Sequence, residues 1–166
     1  MTATTAQRMP DEERQPWTAM IAIALGQMIM SYNVASLPVA LGPMVQEFGV
    51  SPTTVATGIV AYSMIVAGSV MLGAKLVQRY GAVPVFRIAV GAFGLAQVLM
   101  TFSPSAALMI TAQGLSGAAA SVIVPALVAL IAENYKGTQQ ATAVGMLGSA
   151  RAAAGVLAFL IGGILG

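Results

Sequence analysis

Five long apolar runs constrain the fold of this chain more than any other feature of its sequence. They cover residues 17–41, 54–74, 84–102, 106–132 and 141–165, and a helix needs about 20 such residues to cross the hydrocarbon core of a bilayer. Over the whole chain 58% of residues are hydrophobic and 7% are charged, whereas about a quarter of a soluble domain is charged. The sequence therefore predicts an all-α membrane protein with five transmembrane helices.

Two serine-proline pairs lie beside these runs and favour helix starts. Ser51-Pro52 precedes the second run and Ser103-Pro104 the fourth. A serine hydroxyl caps the first turn of a helix, and proline suits its first position. Both pairs are expected to begin helices.

The basic residues predict how the chain is oriented. Six of the seven lie in the tail of residues 1–16 or around the second-to-third and fourth-to-fifth connections, and the two opposite loops have none; the six are Arg8, Arg14, Lys75, Arg79, Arg87 and Lys136. Basic residues concentrate in cytoplasmic loops. We expect a multi-pass protein of the plasma membrane with a cytoplasmic N-terminal tail. The first run stays in the membrane, because it exceeds the roughly 7–15 apolar residues of a signal peptide.

The residue types that are absent exclude several functions. The chain has no cysteine and no histidine, so neither thiolate nor imidazole metal sites are expected. The sequence also shows no nucleophile paired with a general base, which is the pattern that would indicate an enzyme. The net charge of +2 is too small and scattered for a nucleic-acid surface. We expect no catalytic residue, no metal, no cofactor and no nucleic-acid partner; the expected partners are the lipid bilayer and a small-molecule solute.

One arginine interrupts the last apolar run, LGSARAAAGVLAFLIGG. Arg151 is ten residues after Ala141, which places it about 15 Å along the helix, near the middle of a hydrocarbon core of roughly 30 Å. A cation there costs at least about 2.5–3.5 kcal/mol. All five acids lie in the tail or near helix ends: Asp11, Glu12, Glu13, Glu47 and Glu133. Arg151 is therefore predicted to face a substrate pathway and to attract an anionic group, either of a solute or of a carboxylate outside this chain.

Uncharged polar residues lie at membrane depth in several runs. Two interpretations stay open for each of them: a hydrogen bond between helices, worth about 0.6–2 kcal/mol, or a place in the pathway lining. As a set they are the best candidates for that lining beside Arg151, and they are Gln27, Ser31, Tyr32, Asn33, Tyr62 and Gln113.

Small residues recur at steps of three and four in the last run and cluster in the fourth. In lipid, such rows let helix backbones approach closely. The glycines expected to pack against other helices are Gly114, Gly117, Gly145, Gly148, Gly155 and Gly162.

Four stretches resemble motifs of the major facilitator superfamily, in the family's order. GAKLVQRYGAVPVFR resembles the loop signature G-x-x-x-D-[RK]-x-G-[RK]-[RK], with Arg79 and Gly81 matching and Gln78 in place of the aspartate. SYNVASLPVALGPMVQEFGVS is similar to the family's first helix and outer loop. QGLSG in the fourth run is similar to R-x-x-Q-G-x-G, and AFLIGG in the fifth to the exporter motif G-P-x-x-G-G, with Phe159 in place of the proline.

The resemblance covers the chain after residue 16 and points to the drug and multidrug exporter branch. It implies a secondary transporter that moves a small organic solute by alternating access, and drug or multidrug efflux is one form that such transport takes. It also implies a gating loop formed by Gln78, Arg79 and Gly81, although glutamine cannot supply the charge of the family's aspartate.

A facilitator half has six helices in two inverted repeats, and five runs are visible here. The resemblance implies a six-helix N-terminal bundle that is incomplete at its C-terminus, so missing C-terminal helices or a second half are the expected partners. The alternatives are a truncated inactive transporter and a non-transporting multispan membrane scaffold or assembly partner.

Overall fold

The computed structural model describes residues 15–165, the side chain of Leu165 excepted. These residues form five α-helices: α1 (Thr18–Phe48), α2 (Pro52–Tyr80), α3 (Ala82–Thr101), α4 (Ala106–Asn134) and α5 (Gly137–Leu165). Each is long and apolar enough to cross a membrane, and residues 15–165 contain no strand. The prediction of an all-α membrane protein is confirmed. Residues 1–14 of the predicted tail lie outside the described part.

Several helices extend beyond the apolar runs that predicted them. α1 continues to Phe48, α2 continues to Tyr80, and α5 already begins at Gly137. At 1.5 Å per residue the 29 residues of α2 measure about 43 Å, more than the roughly 30 Å of hydrocarbon. The added turns contain polar residues that can leave the hydrocarbon, so hydropathy alone underestimates the length of these helices.

The two predicted helix starts differ in outcome. Ser51 caps α2, because its Oγ accepts a hydrogen bond from the Thr54 amide (3.2 Å) and Pro52 takes the first helical position. The expectation that Ser103 and Pro104 begin α4 is wrong. Ser105 is the cap, with its Oγ 3.4 Å from the Leu108 amide nitrogen. The Ser103 hydroxyl instead donates to the Ser105 carbonyl oxygen at 3.0 Å, which stabilises the loop before the helix.

α4 lies at the centre of the bundle. α2 and α3 pack mainly against it, whereas α5 packs mainly against α1. A broad face of α4 is buried, with Ala112, Ile123 and Leu127 among its residues, and only a narrower face that includes Leu115 is exposed. Phe93 of α3 is also buried in this core.

Glycines allow the backbones of α2 and α4 to touch. A Cβ atom added to Gly117 would lie 2.7 Å from the carbonyl oxygen of Tyr62. One added to Gly73 would overlap the carbonyl oxygen of Ser121. At Gly114 the nearest atom is the Ile65 Cδ1, 3.3 Å away. Gly114 and Gly117 therefore lie at a helix contact, and Gly73 is a closer contact that the sequence interpretation did not single out.

α5 packs on α1 through a different face from the predicted one. Its buried residues are alanines at steps of seven and four: Ala143, Ala150, Ala154 and Ala158. Gly145, Gly148 and Gly155 have no atom within 4 Å of an added Cβ, whereas one added to Gly162 would overlap Val39. The first three glycines therefore contact no other helix between residues 15 and 165, and their part in helix packing stays a prediction. The alanines are also small residues, and α5 packs on α1 through this buried row.

Candidate functional site

Helices α1, α2, α4 and α5 surround an open groove of about 670 Å³ in which the polar side chains of three helices meet. We call it the Arg151 groove. Its polar residues are Gln27 and Ser31 of α1, Tyr62 and Ser63 of α2, and Arg151 of α5. Its walls are apolar and include Met30, Val34, Val66, Val124, Val128 and Leu147. A few polar groups in apolar walls are typical of sites for small organic molecules.

Gln27 and Ser31 form a hydrogen-bonded pair on one face of α1. They are four residues apart, which places them one above the other on a helix. The Gln27 side-chain amide donates to the Ser31 Oγ at 2.7 Å, and both side chains are buried. The bond uses a lone pair of the serine oxygen, and the hydroxyl proton of Ser31 stays available to donate.

Tyr62 is positioned by the close contact between α2 and α4. Its carbonyl oxygen and Cα both lie beside Gly117, so the backbone that carries the ring has little freedom to shift. The residue is 8% exposed and lines the groove. A phenol hydroxyl can both donate and accept a hydrogen bond.

Arg151 is exposed in the groove. The groove is lined by no aspartate or glutamate among the described residues. The guanidinium has five N–H donors and no acceptor, and at the depth predicted for it a cation without a counter-charge is unfavourable. Because no acidic side chain between residues 15 and 165 lines the groove, the guanidinium of Arg151 is its dominant charge.

The structure divides the predicted pathway residues into separate places. Tyr32 and Asn33 line a second cavity of about 700 Å³ between α1, α3 and α5, and Gln113 is buried away from both cavities. The structure therefore does not bring these three residues into the Arg151 groove, and a place for them in a pathway lining stays a prediction. Each residue of a helix is rotated by about 100° from the one before it, so Tyr32 and Asn33 diverge from the face of Ser31.

Asn33 and Gln113 join α1 to α4 by a reciprocal pair of hydrogen bonds. The Asn33 amide donates to the Gln113 Oε1 at 3.3 Å, and the Gln113 amide donates to the Asn33 Oδ1 at 3.2 Å. Gln113 also donates to the Met100 sulfur at 2.9 Å. For these two residues the interhelical hydrogen bond, the other interpretation left open by the sequence, is what the structure contains.

Of the three residues predicted to form a gating loop, only Gly81 lies outside a helix. Gly81 separates α2 from α3 with φ 88° and ψ 153°, a region that is essentially restricted to glycine. Its amide donates to the Val77 carbonyl oxygen at 2.9 Å. Gln78 and Arg79 are exposed in the last turn of α2, and the Arg79 guanidinium lies 5.4 Å from the centre of the Tyr80 ring.

A tyrosine that the sequence interpretation missed fixes the start of α1. Tyr135, between α4 and α5, is fully buried. Its hydroxyl accepts from the Met20 amide at 3.0 Å and donates to the Pro16 carbonyl oxygen at 3.3 Å, and its ring stacks on Trp17 with centres 5.1 Å apart. An aromatic residue in a short polar connection was the signal available in the sequence.

Comparisons with known proteins agree with this architecture. The sequence model of the Major Facilitator Superfamily matches residues 23–166. The puromycin resistance protein pur8 of Streptomyces alboniger is similar, with 28% identity over 108 residues, which are 64% of this chain and 22% of that protein. The match thus spans about a fifth of the relative's length.

Proposed function

Because the chain belongs to the major facilitator superfamily, we propose that it forms the N-terminal part of a secondary transporter that moves a small organic solute by alternating access. Transporters of this kind place the solute near the bilayer midplane between two helical repeats or halves. In this proposal further helices cover the open side of the Arg151 groove. The N-terminal tail and the Gly81 loop face the cytoplasm, and the membrane is the plasma membrane.

The observation that carries the proposal is the convergence of polar groups from three helices in the Arg151 groove. Gln27, Tyr62 and Arg151 are far apart in sequence and come from α1, α2 and α5, yet they line one groove. Polar and ionisable groups at membrane depth are costly and are typical of transport pathways. The similarity to a puromycin resistance protein makes export of toxic compounds the first kind of transport to test.

The test compares two serines with the same local structure. Ser63 and Ser149 are both exposed, and each hydroxyl bonds to the carbonyl oxygen four residues earlier. Ser63 lines the groove and Ser149 does not. Ser63→Leu fills the pathway, whereas Ser149→Leu is the control on another face of α5.

The measurement is drug tolerance of sensitive cells that express the intact protein, with a panel of anionic, neutral and cationic antibiotics that includes puromycin. The intact protein is expected to raise tolerance to at least one compound. Ser63→Leu is expected to reduce that effect about tenfold, the consequence of a loss of about 1.4 kcal/mol, and Ser149→Leu to retain it at equal expression. Unchanged tolerance with every compound, together with no uptake or efflux in reconstituted vesicles, would favour the scaffold.

The scaffold alternative has its own structural feature. Gly145 and Gly148 form an exposed row on α5 that contacts nothing between residues 15 and 165. Small residues favour close helix association in lipid, so this row suits docking of another membrane helix.

A further inference from the structure

We propose that the Arg151 groove selects solutes that carry an anionic group, such as a carboxylate, sulfonate or phosphate. This inference rests on the proposed transport function and assigns the chemical class of its substrate. In it the guanidinium of Arg151 binds the anionic group, and the hydroxyl groups of Ser31 and Tyr62 donate further hydrogen bonds.

The charge of the groove is of one sign only. Arg151 is the sole ionised side chain among its lining residues, since the other polar groups are amides and hydroxyls. Its apolar walls, which include Val66 and Val128, exclude much of the water that would otherwise screen a charge, and electrostatic interactions are stronger in such surroundings. An anion is therefore attracted to this groove and a cation is repelled.

Three side chains of the groove, Arg151, Ser31 and Tyr62, can donate hydrogen bonds to a bound anion. The Gln27 amide is occupied by Ser31, and that bond leaves the Ser31 hydroxyl with its proton to offer. Arg151 can only donate, and its planar guanidinium matches the two oxygens of a carboxylate or phosphate. Such a set favours an acceptor-rich anion.

The shape of the groove favours a solute over a carboxylate of the protein itself. Its volume is about 670 Å³, within the roughly 300–1,000 Å³ of pockets that bind organic ligands. An internal ion pair would need space for one side chain only. The apolar wall, with Met30 and Leu147 beside the polar groups, provides surface for the organic part of an amphiphilic anion.

The first test measures the electrostatic potential of the groove without knowledge of the substrate. The chain has no cysteine, so Ser63→Cys in the intact protein, with any cysteine elsewhere replaced, places one thiol in the groove. Its reaction rates with an anionic sulfonate-bearing and a cationic trimethylammonium-bearing methanethiosulfonate are compared with and without Arg151→Gln. Arg87→Gln is the control, because Arg87 is an exposed arginine of α3 outside the groove.

We expect Arg151→Gln to lower the ratio of the anionic to the cationic rate by at least about tenfold, because loss of the positive charge slows the anionic reagent and speeds the cationic one; tenfold corresponds to about 1.4 kcal/mol. Arg87→Gln is expected to leave the ratio unchanged. A ratio that does not respond to Arg151→Gln would overturn the inference, because it would mean that a carboxylate of the protein already neutralises the arginine. No reaction of the Ser63→Cys thiol with either reagent would instead contradict the proposed pathway itself.

The second test identifies the ligand class. Benzenesulfonate is expected to slow the labelling of the Ser63→Cys thiol in the protein with Arg151, and to lose this protection in Arg151→Gln. Benzyltrimethylammonium is expected to protect neither protein. Protection by the cation alone, or export limited to cationic compounds and retained in Arg151→Gln, would overturn the anion assignment while leaving a transporter in place.

Discussion

At the scale of single residues, the Gly81 connection and the Asn33–Gln113 hydrogen bonds each depend on particular residues. Gly81 is the whole connection between α2 and α3, and its positive φ is unfavourable for any residue with a Cβ. The side-chain amides of Asn33 and Gln113 hydrogen-bond each other in the interior of the bundle. Each feature depends on the identity of one or two residues, so substitutions there have defined consequences.

We expect Gly81→Ala to destabilise the protein by about 1–3 kcal/mol, the usual cost of a strained backbone conformation. Gly91→Ala is the matched control, because Gly91 lies within helix α3 with nothing within 4 Å of an added Cβ. There alanine is expected to be neutral or to stabilise by up to about 1 kcal/mol. Thermal unfolding in detergent measures both variants. Equal melting temperatures for the two would contradict the strain at Gly81.

We expect Asn33 and Gln113 to be energetically coupled. Gln113→Leu leaves the Asn33 amide buried without its partner, and Asn33→Leu does the same to Gln113. The two single changes are therefore expected to lower the free energy of unfolding, when summed, by more than the double change does. A coupling of about 0.6–2 kcal/mol is typical between membrane helices. A double-mutant cycle of unfolding free energies measures it. Strict additivity would show that the two amides do not stabilise the α1–α4 contact.

At the scale of helices, backbone contact between α2 and α4 is the tightest packing. Gly73 meets the Ser121 carbonyl oxygen directly, and backbone cannot rotate away as a side chain can. Gly68 is on the same helix, five residues earlier, with nothing near an added Cβ. The two glycines thus test the contact with a minimal change.

We expect Gly73→Ala to separate α2 from α4 and lower the melting temperature or the yield of folded protein. Overpacking of a tight contact commonly costs about 1–3 kcal/mol. Gly68→Ala is expected to fold normally. If both variants melt like the unaltered protein, the helices must be farther apart than the structure has them.

At the scale of the whole molecule, we expect one orientation in the membrane from the arrangement of charge and helices. The loop at Gly81 and the connection at Lys136 lie at the same end of the helical bundle as the start of α1, because successive spanning helices reverse direction. Lys75, Arg79 and Arg87 surround the first of these connections. Basic residues are retained on the cytoplasmic side.

Single-cysteine labelling tests this orientation, since the chain has no thiol of its own. In intact cells, a membrane-impermeant thiol reagent is expected to label Glu47→Cys and Ser103→Cys, and to label Arg79→Cys and Lys136→Cys only after the cells are opened. Labelling of position 79 from outside, with position 47 protected, would show that the protein has the opposite orientation.

The sequence by itself determined which segments are apolar enough to span the membrane and which residues are candidates for a pathway. Spanning depends on about 20 apolar residues whose backbone groups bond within the same helix, and this is a local property. Arg151 could be singled out for the same reason, because its cost in hydrocarbon depends on depth along its own helix. Gln27, Ser31 and Tyr62 were named with it on the same grounds, but so were Tyr32, Asn33 and Gln113.

Only the tertiary structure decided which of these side chains meet and which helix faces pack. α5 has one row of alanines and one row of glycines, both made of small residues at helical spacing, and α1 packs against the alanines. In lipid both rows are apolar, so neither hydropathy nor periodicity distinguishes them, and close contact depends on the shape of the opposing helix. The same holds for the Arg151 groove: its polar groups come from separate helices, and their convergence depends on how α1, α2 and α5 are arranged around α4.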